Sequence, residues 1–254
     1  MKTFPKVLVL TVTISSALIA TLGWSIYTVL SALLTSITLV LVRDGLRSSS
    51  KLRNWLTVTG LYWGLSYVSN LIEAVYFAVI PARTASVSAV FGFILALATG
   101  GLLELMTVQG EAPYERRNVL PTGTAWRILV LAFAFFVIYL AAGIAIQPWI
   151  AGFYAHRHLP TLTQLLRLQL CRGVLDLACI YPVYLQWRKS RTCAVWVSAC
   201  VFTVLCGWGP LLLPNQFLPG PIRLAHAVEM GASGIVFGII TALLLLRPAY
   251  PPSR

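Results

Sequence analysis

The sequence predicts an all-α polytopic integral membrane protein, a bundle of about eight transmembrane helices with no soluble domain. Three observations predict it. Of 254 residues, 58% are hydrophobic and only 10% are charged, where an ordinary soluble domain carries about 25% charged residues. Apolar runs long enough to cross a bilayer, which takes roughly 18 or more residues, recur along the whole chain. The basic residues collect in the short stretches between those runs, as they do in cytoplasmic loops. The same composition excludes a disordered chain, a disulfide-stapled secreted scaffold and a nucleic-acid-binding domain.

Taken in order, the spans are expected over roughly residues 7–22, 25–42, 54–80, 84–107, 125–148, 161–187, 193–213 and 223–247. The first two could be one long helix, but a hairpin turning near Gly23 and Trp24 fits the loop charges better. The third follows the basic stretch Arg43, Arg47, Lys51 and Arg53. A polar connection, Gln109 to Thr124, separates the fourth from the fifth, and it is too short to fold by itself. The sixth begins after the outer loop Ala151–Pro160 and the seventh after Arg188-Lys189-Ser190-Arg191. The eighth is entered from the proline-stiffened loop Pro214–Pro221. Positive charge on inner loops then makes both termini cytoplasmic, whereas a seven-span arrangement, the second choice, strands Lys2 and Lys6 outside. On this reading the formal net charge of +12 describes orientation and not a polyanionic partner.

Two GxxxG spacings, Gly60/Gly64 and Gly234/Gly238, allow close helix contact, with another helix of the same chain as the expected neighbour. Residues 90–97 (VFGFILAL) resemble 236–243 (VFGIITAL), but spans three and seven do not follow at the same offset, so a four-plus-four duplication is not established. The five cysteines lie in predicted helices with no metal spacing. His156 and His158, in an outer loop, read as solvated. No motif for a cofactor or a metal is present.

Seven acids remain to be placed. Asp44, Glu111 and Glu115 read as loop charges, and Glu104 as reaching the inner interface. Glu73, Asp176 and Glu229 lie inside spans, where an ionised side chain costs roughly 2.5 to 3.5 kcal/mol and marks a functional hypothesis. Glu73 and Glu229 fall at a similar depth below the outer surface, and Arg223, His226 and Glu229 share a helix side at i, i+3, i+6 spacing. Arg172 and Asp176, at i, i+4, are expected to pair. Arg167 is a candidate partner for Glu73, Glu229 or an anionic headgroup.

These residues suggest an enzyme working on a lipid or isoprenoid inside the membrane, by isomerisation or cyclisation. Apolar surroundings favour a neutral carboxyl, which suits a general acid. Glu73, Glu229 and His226 are the candidate catalytic residues; Asn70, Tyr76, Arg167, Arg172, Asp176 and Arg223 are candidate substrate contacts. The expected partner is a membrane lipid or a hydrophobic small molecule, with no nucleic acid. The alternatives are a non-catalytic membrane subunit whose buried charges specify packing, and a proton-coupled transporter.

Overall fold

A computed structural model of the chain describes residues 3–46, 50–107, 123–155, 160–214 and 218–246. They form eight helices: α1 (Thr3–Leu22), α2 (Ile26–Gly45), α3, α4 (Ala82–Leu105), α5 (Thr124–Tyr154), α6 (Leu162–Leu185), α7 (Arg191–Leu212) and α8 (Gly220–Leu245). Two are interrupted. In α3 the α-helical stretches Lys51–Trp63 and Asn70–Tyr76 flank a π-helical Gly64–Ser69, and α7 is π-helical over Val201–Trp208. Seven helices are long and apolar enough to cross a membrane; α3, whose apolar residues are interspersed with Asn54, Asn70, Glu73 and several Ser, Thr and Tyr residues, is not among them. The protein is a polytopic helical membrane bundle.

Local chemistry sets the boundaries. Gly23, at φ +84°, takes the left-handed conformation that closes the α1–α2 hairpin. Ser25, Ser50 and Ser190 cap α2, α3 and α7 by accepting bonds from the backbone N–H groups of Tyr27, Arg53 and Cys193. Thr161 and Gln164 form a reciprocal capping box on α6. One expected boundary is displaced: α5 continues to Tyr154 with Pro148 inside it, because neighbouring helices in a membrane bundle tolerate the proline. That extra turn brings Tyr154 beside α8.

The packing repeats. In the first half α1 packs on α2 and α4, and α3 packs on α4; in the second, α5 packs on α6 and α8, and α7 packs on α8. The halves meet through α2 against α7 and α3 against α6, with the two π segments touching each other at the centre. The contacts of the second half thus repeat those of the first at a shift of four helices, a correspondence that the sequence match alone did not establish. The π segments begin at Gly64 and Val201, whereas the matching VFG tripeptides begin at residues 90 and 236. The wider spacing in the second half is why no single offset aligned both helices.

Helix α3 is fastened to α4 by side chains donating to main-chain carbonyls. The indole N–H of Trp55 bonds Leu97 O at 2.8 Å, Thr59 Oγ1 bonds Ala96 O at 3.3 Å, and Trp63 bonds Ala89 O at 2.9 Å. In the second half glycines do the comparable work. A Cβ on Gly234 would lie 2.8 Å from Thr203 Cα, and one on Gly238 would lie 2.5 Å from Ser198 O. The expected intrachain role of this GxxxG is therefore met.

One end of the bundle gathers the start of α1 and the ends of α2, α4, α6 and α8. There arginines close the helix C-termini, which carry unpaired carbonyls and partial negative charge. Arg188 donates to Asp44 O, Arg191 to Leu243 O and Arg127 to Leu244 O. Lys6 pairs with Asp44 at 3.3 Å. Glu104 differs from expectation: it is buried and forms a two-bond ion pair with buried Arg43, Nη2 to Oε2 at 2.9 Å. Burial next to α2 gives it a fixed cation, so it does not extend to the interface. Glu111, Glu115, His156 and His158 lie outside the described residues.

Candidate functional site

Toward the opposite end, α3, α5, α6 and α8 bring their polar residues together. From α3, Glu73 Oε2 meets Arg172 Nη1 of α6 at 2.7 Å. Gln169 joins them, donating from Nε2 to Glu73 Oε1 at 3.2 Å and accepting from Arg172 Nη1 at 3.1 Å. Arg172 Nε donates to Ser69 Oγ at 3.3 Å, and its guanidinium lies 5.9 Å from the centre of the Phe135 ring. Arg172 is 1% exposed and the Glu73 side chain 21%, so the cation is sealed and the acid opens outward.

On α8, His226 Nδ1 lies 2.6 Å from Glu229 Oε2, and His226 Nε2 lies 3.0 Å from the hydroxyl of Tyr154. The expected i, i+3 pairing of His226 and Glu229 is present. The His226 side chain is 20% exposed and that of Glu229 only 4%. Gly143 of α5 lies beside this pair: a Cβ there would be 3.5 Å from Glu229 Oε1, an ordinary contact.

Tyr139 of α5 is partly buried, with its phenol in electrostatic range of Glu73, Glu229 and Arg172. Beside Tyr139 is a void of about 20 Å³, also lined by Cys206, Met230 and Ser233, enough for a single water. Glu73 and His226 are the members of the two ion pairs with exposed side-chain surface, 21% and 20%.

The expected pairing of Arg172 with Asp176 is not formed. Helical side chains lean toward the helix N-terminus, which directs Arg172 away from Asp176 and toward Gln169 and Glu73. A cation placed before an acid at i, i+4 is also the weaker order. Asp176 is fully buried with neither carboxyl oxygen hydrogen-bonded, and Arg172 Nη2 has no bond either.

Other candidates sit apart from the cluster. Asn70 donates from Nδ2 to Leu65 O at 2.8 Å, a carbonyl of the π segment. Arg223 donates to Leu213 O at 3.4 Å, closing the end of α7. Arg167 is exposed, and Tyr76 is exposed with its ring against Phe77. Ser69, Tyr139, Tyr154 and Gln169 were missed, because uncharged polar residues carry no insertion penalty large enough to single them out. Among the described residues no three His, Cys, Asp or Glu side chains converge as a metal site. No family model, curated protein or solved structure matches the chain.

Proposed function

We propose that the protein is a membrane-embedded acid–base enzyme acting on a lipid or isoprenoid substrate, of isomerisation or cyclisation type. The observation that carries this reading is the 2.6 Å contact between His226 and Glu229. A proton added to a double bond and another removed nearby requires a donor and an acceptor on either side of the reacting carbons. Glu229 orients His226 as the proton donor, Tyr154 holds its other nitrogen, and Glu73 is the proton acceptor. Arg172 and Gln169 fix the Glu73 carboxyl, and both Glu73 and His226 are open to a substrate arriving from that end.

The test is solvent deuterium. Protein reconstituted in a native lipid extract and incubated in deuterated water is expected to place deuterium in a lipid or isoprenoid, read by mass spectrometry. Glu229→Gln and His226→Asn should each reduce the rate about 100-fold or more, the usual contribution of a general acid or base. Equal labelling by wild type and both variants would overturn the reading. If the two variants instead lose thermal stability sharply and no labelling occurs in the wild type, the charges specify packing in a non-catalytic subunit.

A second reading, proton-coupled transport, is favoured by the paired π segments. Interrupted helices at corresponding positions of two halves mark the binding sites of many carriers. Proton flux in proteoliposomes without deuterium labelling selects it.

We also propose that both termini are cytoplasmic. Lys6, Arg43, Lys51, Arg53, Arg188, Lys189 and Arg191 share one end of the bundle, and basic residues favour the inner face.

A further inference from the structure

We infer that a groove between α3 and α6 binds an anionic phospholipid of the surrounding bilayer, with its phosphate at Arg53 and an acyl chain lying along Gly60 and Gly64. The inference goes beyond the acid–base reading and does not depend on it, since occupancy is measurable without turnover.

The groove has a volume of about 1170 Å³. Its floor exists because α3 lacks side chains there: a Cβ on Gly60 would meet nothing within 4 Å, and Gly64 rests on Cys179 Sγ. Leu175, Ala178 and Pro182 of α6 form the opposite wall. Across the α2–α7 seam, by comparison, Ser31 donates to Gly209 O at 2.7 Å.

Length and charge identify the occupant. From Leu52 to Val68 the groove follows α3 for roughly 24 Å at about 1.5 Å per residue, most of the roughly 30 Å hydrocarbon thickness. An extended chain parallel to the membrane normal fits. The polar lining, Ser50, Arg53, Thr57 and Gln186, is confined to one end, and that end is the basic end of the bundle. Arg53 is exposed, and among the described residues no acid pairs with it. An anionic headgroup supplies the missing charge. A second copy of the chain is the poorer occupant. Two copies in one orientation meeting on this face would bring both Lys51–Arg53 ends to the same level, where like charges repel.

The experiment reconstitutes the full chain in vesicles of equal phosphatidylglycerol and phosphatidylcholine, extracts it in mild detergent and reads retained lipid by native mass spectrometry. Wild type should retain phosphatidylglycerol about fivefold over phosphatidylcholine, the effect expected of one arginine near an anionic lipid. Arg53→Gln should keep a bound lipid and lose the preference. Gly60→Leu, whose side chain enters open space, should lose the lipid while keeping the wild-type melting temperature. Glu229→Gln should retain lipid as wild type does, which separates this inference from the catalytic one. Equal retention of both lipids by wild type, or retention unchanged by Gly60→Leu, would overturn it. So would a dimer that carries no lipid and that Gly60→Leu dissociates.

Discussion

Arg172 reaches across from α6 to Glu73 on α3 at 2.7 Å and leaves Asp176, four residues along its own helix, without a hydrogen bond. A cation that is 1% exposed depends on its partner. Glu73→Ala should destabilise the protein by about 3 to 5 kcal/mol, because it strands a buried charge. Arg172→Met in the Glu73→Ala background should recover much of that loss. Unfolding in detergent, followed by tryptophan fluorescence, measures both; a double variant no more stable than Glu73→Ala would count against the pairing as the source of the effect.

At the opposite end, Arg43 and Glu104 form a second buried pair. Glu104→Ala is expected to lower stability by a similar amount, about 3 to 5 kcal/mol, without altering any reaction at the His226–Glu229 site. Stability and deuterium labelling measured on the same preparation check both halves of this expectation.

The two GxxxG pairs should respond differently to alanine. Gly238→Ala forces a methyl against Ser198 O and Ala199 Cα, and overpacking of this kind costs about 1 to 3 kcal/mol. Gly60→Ala enters open space and should be neutral or stabilising by about 0.5 to 1 kcal/mol, since alanine is the better helix former. Melting temperatures of the two variants decide it, and a larger loss at Gly60 would contradict the packing described.

Orientation is testable by labelling. With Cys171, Cys179, Cys193, Cys200 and Cys206 replaced by alanine or serine, a cysteine at Lys51 or Lys189 should be blocked from a membrane-impermeant maleimide added to intact cells. One at Arg83 should react. The reverse pattern would place both termini outside.

The helical fold was legible because membrane insertion writes itself into composition and run length. Glu73, Asp176 and Glu229 stood out for the same reason: each is a charge in an apolar run. His226 and Glu229 were legible as a pair because three residues along one helix are neighbours. What was illegible depended on distant partners. Glu104 looked close to the interface until Arg43, on another helix, was beside it. Arg172 and Asp176 had the right spacing for a pair, but side-chain direction and a better partner on α3 decided otherwise. Tyr154 came into place only because α5 ran past Pro148, a residue that reads as a helix end.

The π segment of α3 acts as an angular offset. Each residue of an α-helix advances by about 100°, and a π turn accommodates one residue more than an α turn. Residues Asn70 to Tyr76 are thus rotated by about a residue's worth of phase relative to a continuous α-helix through Lys51–Trp63. That phase turns Asn70 back onto its own helix, where it bonds Leu65 O, and aims Glu73 at α6. Straightening Gly64–Ser69 into regular α-helix would swing the Glu73 carboxyl off Arg172 with no change of any amino acid.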